Sequence, residues 1–194
     1  MSAKPAIRSD IDIADIQAIA WSAFDSLKGA RYMLLRVHEA GVARQWLRSL
    51  TPTSLGKLYG DDKRQTEVIQ VAFTAAGLRA LGVSEDVMKK FSPEFAEGMT
   101  GSPNRSLRLG DIGENAPKKW DWGFEDNEPH VLLILFAVDD AHAEALAMTK
   151  QAEAEQAGLT VVKILQASNM RDKEPFGFAD GISQPSFEIG RAHV

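Results

Sequence analysis

Val131-Leu132-Leu133-Ile134-Leu135-Phe136-Ala137-Val138 leads through Asp139-Asp140 into an alanine-rich stretch that runs to Ala157. Gly158 follows, and then Leu159-Thr160-Val161-Val162-Lys163-Ile164-Leu165-Gln166-Ala167. The first run is apolar throughout, with no alternation, which is the pattern of a strand covered on both faces. Asp139 or Asp140 is placed to cap a helix, and Gly158 stands just past the end of that helix. The acidic residues between Glu144 and Glu155 then form its outer face. Leu159 to Ala167 reads as another strand. The second half of the chain is therefore strand, helix, strand.

The first half repeats that order. Ala30 to Val37 is short, apolar-rich and preceded by Gly29, so it reads as a strand. Val42, Trp46, Leu47 and Leu50 recur at helical spacing, and Pro52 stops the helix. Thr66 to Thr74 carries Val68, Ile69, Val71 and Phe73 and reads as a second strand. Thr74 is then the expected N-cap of a short helix, Ala75 to Leu81, closed by Gly82. Ser84 opens a further piece, capped with the help of Glu85 and Asp86. From about Ser92 to Pro129 the pattern is broken by Gly98, Gly101, Pro103, Gly110, Gly113, Pro117 and Gly123. The expectation there is a long excursion holding at most two short helical turns, and such long loops are often functional. Two strand–helix–strand halves imply an α+β fold of the ferredoxin-like, split βαβ kind. Its four-stranded antiparallel sheet carries two helices on one face, with a long insert between the second and third strands. Residues 1–194 make one such domain.

Bulk properties exclude several classes. The chain has 194 residues, a net charge of −5 and no cysteine, so disulfides and thiolate metal sites are out. An acidic balance argues against nucleic acid as a partner, because phosphate binding needs clustered Lys and Arg. No apolar run is long enough to cross a membrane, and residues 1–19 lack a signal-peptide core, so the expected location is the cytoplasm. An RNA-binding sheet would need a basic surface and exposed aromatics on its central strands, and neither is evident.

Near the C-terminus stands Pro175-Phe176-Gly177-Phe178-Ala179-Asp180-Gly181-Ile182-Ser183-Gln184-Pro185. A lone carboxylate lies between glycines that let a flat ligand come close, in a loop stiffened at both ends by proline. One carboxylate aimed into an apolar pocket suits proton transfer. An Asx-turn, in which Asp180 bonds its own loop, is the purely structural alternative. Ser183 has no adjacent base and does not read as a nucleophile. The stretch Gly177-Phe178-Ala179-Asp180-Gly181, continued by Ile-Ser-Gln-Pro, resembles the G-x-x-D-G signature of the dye-decolorizing (Dyp-type) haem peroxidases. So do Asp15-Ile16-Gln17, Phe91-Ser92-Pro93-Glu94-Phe95-Ala96-Glu97-Gly98-Met99, Leu109-Gly110-Asp111 and the region from Trp120 to His130-Val131-Leu132-Leu133, in the family's order.

The resemblance implies a haem b cofactor, with hydrogen peroxide and a small-molecule reductant, a dye or phenol, as substrates. It implies that Asp180 is the distal acid–base group and that Gly181, Ile182 and Ser183 lie beside the haem edge. Family members have two ferredoxin-like domains, and the iron-ligating histidine comes from the second. The chain therefore resembles an N-terminal half, and a non-catalytic module for assembly or for binding haem or another small ligand is the alternative. Its own His38, His130, His142 and His193 show no metal-site spacing. His193 lies just past the loop, short of where the family's ligand falls. Lys118-Lys119-Trp120-Asp121-Trp122 mixes basic and aromatic residues, but its acidic flanks favour a packed loop with a solvated rim over single-strand binding. By the same resemblance the two tryptophans are candidate radical relays. An isolated half would also expose an apolar face, which implies homo-oligomers.

Overall fold

The computed structural model describes residues 12–22, 24, 26–60, 65–168 and 178. Two single 3-10 turns, Ile13–Asp15 and Ala18–Ala20, precede β1, Gly29–Val37. There follow α1, Ala40–Ser49, α2, Leu55–Gly60, and β2, Glu67–Phe73. Next come α3, Ala75–Ala80, α4, Glu85–Met88, α5, Pro93–Glu97, and α6, Pro103–Leu109. The chain then returns through β3, Val131–Ala137, α7, Asp140–Gln156, and β4, Leu159–Ser168. The strand order is β2-β3-β1-β4 and every pairing is antiparallel. This is the expected ferredoxin-like sheet, with the two first-half strands separated by β3.

The packing follows from strand alternation. Met33, Leu35, Leu133 and Leu135 are completely buried under the two crossover helices, with Trp46 of α1 and Ala147 and Ala154 of α7 above them. Small residues on α7 let that helix approach the sheet closely. Asp139 accepts the backbone N–H of His142 at 2.9 Å and so caps α7. At the end of the core, buried Arg31 reaches the first turns of α7, donating to Asp140 at 2.7 Å and Glu144 at 2.9 Å. That hydrogen bond from Arg31 holds the Asp140 carboxyl below its usual range.

Among the described residues, the opposite face of the sheet is crossed at both of its ends. At one end the segment before β1 lies across it. Phe24 packs on Phe136 with ring centroids 4.8 Å apart, and the Ile19 N–H donates to the buried Gln70 side chain at 3.1 Å. Gln17 closes the exposed edge of β2: its amide donates to Val71 O at 2.9 Å and accepts from Val71 N–H at 2.8 Å. A side chain thus takes the place of a neighbouring strand, which blunts an otherwise sticky edge. At the other end the insert crosses beneath β1 and β4, tied by Arg36 to Glu125 O at 2.5 Å and by Lys163 to Asp121 at 2.9 Å.

Three local expectations are corrected. Ser84 stands at the N-cap of α4 but makes no side-chain capping bond, so α4 rests on its backbone turns and acidic first turn alone. The stretch from Ser92 to Pro129 holds more than two helical turns: α5, α6 and three 3-10 turns. Ser92 and Ser102 each accept a backbone N–H and each precedes a proline at the first helical position, a start signal that the glycines obscured. The short helix α2 also had no sequence forecast. Ser54 starts it by accepting the Lys57 N–H at 3.1 Å.

Candidate functional site

Asp180, Gly181, Ile182 and Ser183 lie outside the described residues, as does His193. Of the loop from Pro175 to Pro185 only Phe178 is described, and it is exposed.

Among the described residues, a concavity opens at the insert. Its floor is the β2–α3 junction, where Phe73, Thr74, Ala75 and Ala76 meet. One wall is α5 and the turn to Thr100, with the end of α6. The other is Trp120 to Gly123 with Glu128 and Pro129. Its volume is about 1040 Å³ and its surface is mostly apolar. That volume stands at the upper end of small-molecule sites, which run to about 1,000 Å³.

Polar side chains fix the walls. Arg79 donates to Ala96 O at 3.0 Å and pairs with Glu85 at 2.8 Å. Arg105 donates to Gly98 O at 2.6 Å and to Glu94 O at 3.3 Å, and it pairs with Glu97 at 2.9 Å. Both guanidiniums are thus occupied in holding the α5 turn. The Trp120 indole donates to Asn115 O at 2.9 Å, and Lys119 pairs with Glu114 at 2.7 Å. In the Lys118–Trp122 stretch only Trp120 is partly buried; the other four residues are exposed, with Trp122 38% exposed and lining the cavity.

His130 joins the two ends of the insert. Its Nδ1 accepts the Val37 N–H at 3.0 Å, its own N–H donates to Leu35 O at 2.7 Å, and its carbonyl accepts from Thr74 N–H at 3.1 Å. The Thr74 hydroxyl donates to Pro129 O at 2.8 Å and accepts the Gly77 N–H, capping α3. Burial, reinforced by the charges of Arg36 and His38, lowers the His130 pKa and keeps the ring neutral.

The described residues do not fit haem iron by themselves. The Nδ1 atom of His130 is taken by Val37, His142 bonds Asp139 at 2.7 Å, and His38 bonds Thr160 at 2.9 Å. None of the three lines the cavity. No cluster of three or more metal-ligating side chains occurs among the described residues. No described helix is long and apolar enough to cross a membrane.

A family model described as "DyP dimeric alpha+beta barrel domain" matches residues 42–171, two thirds of the chain. The chain belongs to the Dyp-type peroxidase family, as its N-terminal domain. A curated relative, the dye-decolorizing peroxidase msp1 of Mycetinis scorodonius, is 26% identical over 142 residues, covering 70% of this chain and 26% of that protein. Among solved structures, a DyP crystal structure superposes with a TM-score of 0.70 at 20% identity, over 91% of this chain and 38% of that one. A DyP in complex with 2,6-dimethoxyphenol gives 0.67 at 21%, over 95% and 41%. A variant enzyme from Auricularia auricula-judae gives 0.66 at 18%, over 95% and 40%. At these identities the structures establish the fold. The DyP chain described here spans about a quarter of the curated relative and two fifths of the solved ones.

The cavity went unforeseen in the sequence because its lining comes from five separated segments. The signals that were legible were partial: the length of the insert, and the Trp120-Asp121-Trp122 cluster.

Proposed function

We propose that this chain is the N-terminal domain of a haem peroxidase that oxidises dyes or phenolic compounds with hydrogen peroxide. The observation that carries the reading is the family match over residues 42–171. The G-x-x-D-G stretch at Gly177–Gly181 supports it further. Haem b, when bound, supplies the redox chemistry, and the protein supplies orientation and proton management. Asp180 would take a proton from hydrogen peroxide through its carboxylate and return it to the outer oxygen, so that this oxygen leaves as water, and haem, when bound, would supply the two electrons that the O–O cleavage requires. Gly181, Ile182 and Ser183 flank the haem edge. The iron ligand comes from outside the described residues, in agreement with a domain that contributes one side of a site. A phenolic reductant is supported by the relative whose structure contains 2,6-dimethoxyphenol.

An ordinary aspartate titrates near 3.9. Asp180 acting as base therefore predicts peroxide turnover biased toward acidic pH. The test is peroxide-dependent dye oxidation by the full-length polypeptide that carries this domain. Asp180→Asn is expected to lower turnover by roughly 10²- to 10⁴-fold, with haem uptake retained by its Soret band. Full turnover in Asp180→Asn, or a rate that climbs steadily from acid to alkaline pH, would reject the assignment.

A further inference from the structure

We infer that the insert cavity is a binding site for a planar aromatic cation. Aromatic rings are what the cavity offers first. Phe73, Phe95, Trp120 and Trp122 all line it, and Trp120 is locked in place by its bond to Asn115 O at 2.9 Å. Met99 and Leu109 add apolar surface and are 57% and 52% exposed. Large apolar side chains left in water around a concave surface mark a place that gains from being filled.

Charge selects the class of ligand. Of the ionic side chains in the lining, Arg79, Arg105, Glu97 and Asp121 are paired with Glu85, with each other or with Lys163. Arg108, Glu94 and Glu128 remain without an ion-pair partner among the described residues. Two carboxylates face one guanidinium, so the uncompensated charge is negative. Indole faces prefer a cation over an anion for the same electrostatic reason, because the ring face carries the negative end of its quadrupole. A volume of about 1040 Å³ is far larger than a simple ammonium ion needs, and it admits a flat ligand of two or three fused rings with room to spare. Stacking on Trp122 supplies the contact area, and Glu94 and Glu128 at the rim supply the sign.

The test compares two ligands of one shape. Isothermal titration of the 194-residue chain with 9-aminoacridine, a flat tricyclic cation at neutral pH, is expected to show saturable binding of one molecule. 9-Anthracenecarboxylate, an all-carbon tricycle of nearly the same outline that bears a negative charge, is expected to bind roughly tenfold more weakly. Trp122→Ala should cost about tenfold in affinity for the cation. The double variant Glu94→Gln, Glu128→Gln changes little packing volume and leaves the Arg108 guanidinium uncompensated, so it should remove the preference for cation over anion or turn it toward the anion. Circular dichroism on each variant establishes that the fold persists. Equal affinity for the two probes, absence of saturable binding by a folded chain, or an unchanged affinity in Trp122→Ala would each overturn the inference. None of these readouts depends on haem or peroxide, so failure here leaves the peroxidase reading to its own test.

Discussion

Among the described residues, one buried imidazole couples the fold to acid. His130 accepts the Val37 N–H through Nδ1, so the ring must be neutral on that side. Burial is the main cause of its lowered pKa, with Arg36 and His38 adding to it. The unfolded chain carries a histidine with an ordinary value near 6.5, so it takes up the proton first as pH falls. Stability from this residue is complete above about pH 6.5 and is lost as pH drops from there toward the lower folded value. Urea midpoints measured between pH 8 and pH 5 should therefore fall across that window in the wild type. In His130→Asn they should fall less, starting from a chain weakened by about 1–3 kcal/mol if the Val37 N–H is left unsatisfied. A parallel pH dependence in the two proteins would show that His130 is not the responsible group.

At the scale of elements, two helical glycines that look alike in sequence have opposite meanings. A Cβ on Gly77 would meet His130 O at 1.9 Å and His130 C at 2.6 Å, because α3 is pressed against the start of β3. Gly41, in the first turn of α1, has nothing within 4 Å of such an atom. Gly77→Ala should destabilise the domain by about 1–3 kcal/mol, as an overpacked contact does, and should shift α3 away from the sheet. Gly41→Ala should stabilise it by about 0.5 kcal/mol through the reduced entropy of the unfolded chain. Thermal melts of the two variants decide the matter: shifts of the same sign would contradict the packing described. The same contrast explains what was legible in the sequence. β3 was readable because Val131 to Ala137 has no polar interruption, and α7 because Asp139 and Gly158 bracket it. α5 and α6 were obscured because glycines at 98, 101 and 110 outweighed the Ser-Pro starts at 92 and 102. Gly77 carried no signal at all, since its neighbour His130 is fifty-three positions away and only the folded chain brings them together.

At the scale of the whole molecule, the sheet and the insert differ in what holds them. Met33, Leu35, Leu133 and Leu135 sit at zero exposure between the central strands and their helices. From Lys89 to Glu128, by contrast, no residue is buried. That stretch is held by backbone turns and by arginine clamps such as Arg105 on Gly98 O, which are partly solvated. Backbone bonds with little apolar burial over them open at low free energy, whereas bonds in a packed core open only with global unfolding. Asp180 and its neighbours were singled out by a glycine-flanked carboxylate and a family signature and lie outside the described residues, and the cavity was legible only in part, because a shell without its own core leaves no periodic apolar pattern to read. Hydrogen exchange followed by mass spectrometry should therefore resolve two classes. Amides of β1 and β3 should exchange at the rate of global unfolding and slow in step with any stabilising change, such as Gly41→Ala. Amides of residues 89–128 should exchange far faster and should not respond to that change. Saturation with 9-aminoacridine should slow the insert if the cavity takes it, and should slow the β1 and β3 amides as well, since a ligand that binds only the closed form also raises the free energy of global unfolding by mass action. A single protection level across sheet and insert would mean that the insert shares the cooperative core despite its exposure.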